Sequence, residues 1–270
     1  MRYSLRLSAM ICCLILFQSD PSPANDAPLI LESGGAQVLS GPLTVRMESE
    51  VVRITLGEQS YVVDATFNFQ NTGQKIEFDV GFPKNGEGWI DDRFSHTADF
   101  IKFETWVNGQ PVNFIEQPNM ARIEGGYTLP DLIKSIKKTE DVSQLRLTAI
   151  DKRWMVKERV QFPSNKTTTT RVRYEAPYNP ASPCKGTLGY IYGTGNYWNG
   201  NIGKSTFIID STRIPKGDRP KHIYISDELD RQKAKLTTPR VGIIQCVIQD
   251  YKPHTSNAWI GLTVGCPWND

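Results

Sequence analysis

Between Tyr61 and Phe82 apolar and polar residues alternate almost without a break. Tyr61, Val63, Ala65, Phe67 and Phe69 alternate with Val62, Asp64, Thr66, Asn68 and Gln70. After Asn71-Thr72-Gly73 the apolar set resumes at Ile76, Phe78, Val80 and Phe82. A period of two is the mark of a strand with one buried face. A tight turn at Asn71-Thr72-Gly73 would set Phe69 opposite Ile76 and Phe67 opposite Phe78, so the pattern predicts a hairpin with both apolar sets on one face. Pro83 ends the second strand, because proline cannot donate to a ladder.

The same period recurs on both sides. Leu43, Val45 and Met47 alternate, and Val52, Ile54 and Leu56 alternate one step out of phase. A one-residue slip flips the side chains to the other face, which predicts a β-bulge near Ser49 to Val51 in a long strand. Ile101, Phe103, Thr105 and Val107 lead into Asn108-Gly109, a hairpin turn, and Val112 and Phe114 begin the return strand. Further on, Trp154, Val156, Val160 and Phe162 share one phase, Pro163-Ser164-Asn165-Lys166 turns the chain, and Thr168, Thr170, Val172 and Tyr174 return. His222 to Ile225 reads as a short strand, and the charged Asp227 to Lys235 as a turn of helix. Val241–Tyr251 and Ala258–Cys266 are apolar on both faces, as central strands are. One segment has helical spacing: Leu129, Leu132, Ile133 and Ile136, with Thr128 as cap and Pro130 in the first turn.

These patterns predict a mainly β protein of two antiparallel sandwich-like units, 25–118 and 151–270, joined by a connector at 119–150 with one short amphipathic helix. The two units either pack tightly or hinge near Asn119 to Gln144. Glycine (21 residues), proline (17) and an aromatic content of 10% suit turn-rich β-structure. Lysine and arginine number 31 against 29 acids, a net charge of +2. That near balance gives no field suited to nucleic acid, which is not expected as a partner.

The first residues predict export. Arg2 and Arg6 precede the apolar Leu7–Phe17, and Ser22-Pro23-Ala24 fits signal-peptidase cleavage between Ala24 and Asn25. The apolar run is too short to cross a bilayer, which takes about 20 helical residues, and no later run reaches that length, so no transmembrane segment is expected after cleavage. The mature chain keeps Cys184, Cys246 and Cys266. In an oxidising compartment this favours one disulfide and one leftover thiol. Cys246 lies mid-strand in an apolar run and reads as a small buried hydrophobe. Cys184 and Cys266 each sit beside a proline near strand ends and form the favoured pair.

The least generic stretch is Gly186–Asp210. Tyr190, Tyr192, Tyr197 and Trp198 are set among Gly193, Gly195, Gly200 and Gly203. Tyr192, Tyr197 and Trp198 could stack on a sugar ring or grip a peptide, with Asn196 and Asn199 supplying hydrogen bonds. The other reading is a loop whose tryptophan plugs the end of the sandwich, with glycines letting the backbone close over it.

The order of these segments resembles a bacterial exported family, domain of unknown function 4424. The resemblance rests on Gly34-Gly35 before a strand, Val80-Gly81-Phe82-Pro83, Val160-Gln161-Phe162-Pro163 followed by Val172-Arg173-Tyr174, then Cys184. It ends with Tyr192-Gly193-Thr194-Gly195-Asn196-Tyr197-Trp198-Asn199-Gly200-Asn201-Ile202-Gly203. Many members carry a second cysteine soon after that last segment. Here Ile223-Tyr224-Ile225-Ser226 stands in its place, so the family's disulfide does not carry over. The N-terminal stretch is also similar in pattern to the vault/inter-alpha-trypsin domain, through its phenylalanine-proline strand end and Val107-Asn108-Gly109. The resemblance implies an exported β-protein of the periplasm or exterior and no activity.

Candidate chemistry is sparse. His96, His222 and His254 have no partner at metal spacing, and no HExxH or GxSxG motif occurs. No catalytic residue, metal site or cofactor is expected. Gly86–Asp92 carries carboxylates in a glycine loop and reads as solvated. The expectation is a non-enzymatic binding or scaffolding module of the bacterial envelope, with an envelope protein or glycan as partner. Alternatives are glycan or envelope-ligand binding through the aromatic loop, and a hydrolase with a dispersed active site.

Overall fold

The computed structural model describes residues 27–32, 35–38, 43–83, 100–118, 153–255 and 258–267. The signal segment 1–24, the loop Gly86–Asp92, His96, the connector helix and its hinge all lie outside the described residues. In chain order the strands are β1 (Ala27–Glu32), β2 (Gly35–Val38), β3 (Val45–Leu56), β4 (Ser60–Asn71), β5 (Ile76–Pro83), β6 (Lys102–Val107), β7 (Gln110–Pro111) and β8 (Ile115–Pro118). They continue as β9 (Arg153–Phe162), β10 (Thr167–Pro177), β11 (Asn179–Ala181), β12 (Cys184–Ile191), β13 (Ile202–Asp210) and β14 (Tyr224–Ile225). After the short helix α1 (Glu228–Lys233) come β15 (Lys235–Arg240), β16 (Ile243–Tyr251) and β17 (Trp259–Val264).

The protein is mainly β; the described residues form three sheets, ordered β2-β1-β5-β9-β8, β15-β16-β13-β3-β4-β10-β6-β7 and β11-β12-β17-β14. The eight-stranded sheet is the common wall. The five-stranded sheet covers one part of its inner face, where Phe69 lies 5.9 Å from Phe162 and Phe82 lies 5.5 Å from Tyr174. The four-stranded sheet covers another, where Tyr190 lies 6.2 Å from Phe207. One contiguous apolar core runs through all three sheets.

Strand alternation is as the sequence predicts, but its pairing is not. In β4 every odd position from Tyr61 to Asn71 is buried. Yet β4 pairs with β3 and β10, whereas β5 pairs with β1 and β9. The expected β4–β5 hairpin is therefore an arch: Asn71-Thr72-Gly73 carries the chain from one sheet to the other. The two apolar sets face each other across the core instead of lying side by side. Asn71 fixes the crossing. Thr44 Oγ1 and the Gly73 N–H donate to its Oδ1 at 2.7 and 2.9 Å, and its Nδ2 donates to the carbonyls of Gln74 and Phe162 at 2.7 and 2.8 Å. The turn at Pro163–Lys166 makes a second arch, with β9 in one sheet and β10 in the other.

The two arches stack, β10 on β4 and β9 on β5, so the stretches 25–118 and 151–270 interleave. The eight-stranded sheet takes β3, β4, β6 and β7 from the first and β10, β13, β15 and β16 from the second. The expected boundary between two sandwich units thus does not divide these sheets. Alternation sets which face of a strand is buried, not which strand lies at its edge.

Two irregularities reset the phase. The bulge in β3 falls at Glu48, between Met47 and Ser49, slightly before its expected place. In β9, Trp154 and Val156 do not share a face with Val160 and Phe162. The former join a small cluster with Ala27 and Leu29, the latter the main core. The cause is Arg159, at φ 54°, beside a register shift between Phe78 and Val80. Its N–H donates to Asp79 at 2.8 Å, and its Nε donates to Glu77 at 2.9 Å. The Asn108-Gly109 hairpin forms as predicted, but its return strand is only Gln110–Pro111. The chain then leaves for the five-stranded sheet as β8.

Candidate functional site

The aromatic stretch closes on itself. After β12, Gly193–Tyr197 forms a 3-10 turn, held by the Tyr192 and Gly193 N–H groups donating to Ala258 O at 2.8 and 2.9 Å. Trp198 is 1% exposed and packs 4.2 Å from Phe69, 5.9 Å from Phe78 and 6.0 Å from Phe162. Tyr192 is buried against Phe207 and Tyr251. Tyr197 turns to the small cluster of Leu29 and Trp154. Successive residues thus fill two different clusters. Gly203 lets β13 settle against the bulge of β3, since a Cβ there would lie 2.4 Å from Glu48 O. The expected aromatic pocket of Tyr192, Tyr197 and Trp198 is therefore not an open surface. Asn196 and Tyr197 are half-buried and Asn199 exposed, while the rings of Tyr192 and Trp198 are buried. The residues were recognisable as special; what the sequence could not give was the side from which the sheets close over them.

Behind Tyr192 lies a buried polar network. Its hydroxyl donates to Asp230 Oδ2 at 2.9 Å, and Asp230 is 2% exposed. Tyr251 Oη lies 2.6 Å from Ser205 Oγ and donates to Glu50 Oε1 at 3.3 Å. Burial pushes the Asp230 carboxyl up to about 6, helped by Asp227, while the Tyr192 hydrogen bond and the charges of His254 and Lys233 pull it back. Burial and the neighbouring Asp230 in turn raise the Tyr192 phenol. Asp227 caps α1, accepting from the Leu229 and Asp230 N–H groups. Cys246 is buried beside this region, and burial alone pushes its thiol up to about 12, which favours the thiol over the thiolate. Among the described residues, no three histidine, cysteine or acidic side chains are grouped to hold a metal. His222 is exposed on the loop before β14.

The open chemistry lies at the far end of β13. There the chain leaves Asp210 through Ser211–Pro215, a 3-10 turn at Lys216–Asp218, and Arg219-Pro220-Lys221. This loop and the β15–β16 hairpin enclose a groove of about 710 Å³. Lys216, Arg219 and Lys221 rim it. Pro220, Val241, Ile243 and Ile244 supply its apolar surface, and among the described residues no carboxylate lines it. Val241, at the hairpin tip, is 78% exposed.

The loop is anchored at several points. Cys184 and Cys266 form a disulfide, pairing as the sequence favoured. Beside it, Lys185 Nζ donates to Asp218 Oδ2 at 2.5 Å and the Gly265 N–H donates to Asp218 O at 2.9 Å. Asp210 is also engaged, accepting from Thr212 Oγ1 at 2.6 Å and lying 3.8 Å from Arg53. Asp218 and Asp210 are thus engaged by Lys185 and by Thr212 with Arg53. Arg219 is aimed by donating to the carbonyls of Ile214 and Thr212 at 3.3 and 3.5 Å. Gly242, at φ +80°, passes beneath it, and a Cβ there would come 3.3 Å from the guanidinium. In sequence this is a polar loop rich in lysine, arginine and proline. Three cations in six residues was the available signal, and the apolar partner from β16 was not adjacent to it. A second groove, on the outer face of β15 and β16, is lined by Lys233 and Lys235 but also by Asp250.

Comparison with solved structures supports the fold. A candidate nutrient binding protein from Legionella pneumophila superimposes with a TM-score of 0.54 at 14% identity, over 92% of this chain and 72% of that one. An M1 zinc metallopeptidase from Deinococcus radiodurans gives 0.34 at 13% identity, over 83% of this chain and 43% of its own. Aminopeptidase A of Legionella pneumophila gives 0.35 at 8%, over 88% and 23%. This chain spans less than half of either peptidase, and likenesses so slight carry no argument. No curated protein matches the chain. The similarity to the vault/inter-alpha-trypsin domain finds no support in these comparisons. Residues 24–158 do match a family, and the match stops short of the Tyr192–Gly203 segment. That match spans half of the sequence, and the chain belongs to the family described as Domain of unknown function (DUF4424).

Proposed function

We propose that this protein is an exported, non-enzymatic binding module of the bacterial envelope. Its ligand is taken by the groove between the 211–221 loop and the β15–β16 hairpin. The observation that carries this reading is the groove itself: three cations with no lining acid among the described residues, set over exposed apolar surface on a loop tethered beside a disulfide. The disulfide suits an oxidising compartment, and the sequence up to Ala24 suits cleavage before Asn25. The fold likeness to a protein described as nutrient binding is in keeping with a binding role. Among the described residues no helix is long and apolar enough to cross a membrane.

Two experiments test the reading. N-terminal sequencing of the chain recovered from a bacterial periplasmic fraction is expected to begin at Asn25. Recovery with residues 1–24 intact in the cytosol would refute export. A thermal-shift screen of small metabolites, followed by hydrogen exchange on each hit, is expected to protect 211–221 and 240–244. Hits that protect only other segments would refute the groove as the ligand surface.

A further inference from the structure

The groove's chemistry names a class of ligand. In a chain with 31 basic and 29 acidic residues, Lys216, Arg219 and Lys221 form a local excess of positive charge. Asp218 and Asp210 are held elsewhere, by Lys185 and by Thr212 with Arg53. Lys216 and Lys221 form no ion pair among the described residues and are exposed. An anion entering here meets three cations, one of them a guanidinium already fixed in place, and gains charge-assisted hydrogen bonds. The charge alone would suit inorganic phosphate. Val241 does not: a valine 78% exposed at a hairpin tip, with Ile244 half-buried beside it, is apolar surface that an ion cannot cover. A volume of about 710 Å³ lies in the range of small-molecule sites.

We propose that the groove binds a small anionic amphiphile, a carboxylate or phosphate head on an alkyl or aryl body. The head lies among Lys216, Arg219 and Lys221, and the body lies over Val241 and Ile244. The proposal rests on the reading of this groove as the ligand surface.

Isothermal titration of the mature chain with octanoate, octyl phosphate, neutral octyl glucoside and inorganic phosphate tests it. Saturable one-to-one binding of octanoate or octyl phosphate is expected, at least about tenfold tighter than either octyl glucoside or inorganic phosphate. Which of the two anions binds more tightly distinguishes a carboxylate from a phosphate source. The double variant Lys216→Ala/Lys221→Ala is expected to weaken that binding about tenfold or more and to remove most of its salt dependence. Val241→Ser is expected to weaken the octyl anions and leave inorganic phosphate unchanged. The control Lys233→Ala/Lys235→Ala, in the second groove, is expected to bind as the parent does. All substituted positions are exposed, so unfolding midpoints stay near the parent's. Equal binding of octyl glucoside and octanoate, indifference to the Lys216/Lys221 substitutions, or absence of saturable binding by both octyl anions would each overturn the proposal. If the octyl anions fail while another metabolite protects 211–221 in hydrogen exchange, the ligand class falls and the groove stands. If every hit protects other segments, both fall.

Discussion

Two loops flank β13, and they invert what their composition suggests. The loop before it, 192–201, is rich in the rings and amides from which binding sites are made, and it is spent on the core. The loop after it, 211–221, is an unremarkable run of prolines and cations, and it stays open. The difference lies in what each can bury. Trp198 and Tyr192 have faces that Phe69, Phe162 and Phe207 can cover, and a glycine at 203 brings the strand within reach. Lys216 and Lys221 have no such option, since an unpaired charge is expensive to bury. Aromatic richness therefore points to a site only when the surrounding backbone cannot close, and here it can.

The sharpest way to break this comparison is Trp198→Ala. A core plug predicts a loss of about 3–5 kcal/mol in urea unfolding. A surface ring predicts a change within about 0.5 kcal/mol. Footprinting of tryptophans should likewise find Trp198 as protected as Trp154.

The disulfide comes next. Replacing Cys184 and Cys266 together by serine should cost about 2–4 kcal/mol, because the bridge closes a loop with a sequence separation of 82. If the open loop depends on that tether, hydrogen exchange at 211–221 should also quicken, more than at 192–201.

Asp230 probes the polar lining of the closed loop. Its folded carboxyl titrates near 6, above the ordinary value of about 4, so folding favours the protonated form. The contribution is whole below about pH 4 and is lost as pH rises through about 6. Asp230→Asn imitates the protonated state. It should gain about 3 kcal/mol over the parent at pH 7.5 and under about 0.5 kcal/mol at pH 4, as read from urea midpoints at the two pH values. A variant less stable than the parent at both would show that the carboxylate itself holds Tyr192.

The smallest effect belongs to the open loop. Lys216→Ala should shift stability by less than about 0.5 kcal/mol in either direction, measured by the same unfolding. A cost of 2 kcal/mol would place Lys216 in the structural class of Trp198 and erase the contrast.

Much of the fold could be read before the structure, and what could not follows a rule. Alternation marked β4, β5 and β10 correctly, Asn108-Gly109 announced its hairpin, and the paired prolines beside Cys184 and Cys266 hinted at their bridge. Pairing partners were hidden, because a two-faced strand looks the same whether its turn leads beside it or across the core. Asn71 decides that, through a hydrogen bond to the Phe162 carbonyl that no local window contains. The phase of β9 was hidden by Arg159, whose left-handed backbone leaves no trace in hydropathy. The groove was hidden more deeply: its charges come from one loop and its apolar surface from a hairpin further along the chain.

The parallel ladder between β3 and β13 also sets an order of events. Ser49 pairs with Lys204 and Thr55 with Asp210, so the first long strand waits for residues made much later. Closing so long a loop is slow, and contacts of this range delay folding as a whole. Until β13 arrives, β3 shows an unpaired edge to any neighbouring chain, the usual starting point of aggregation. The nascent protein thus has a window of vulnerability whose end is timed by its own C-terminal half.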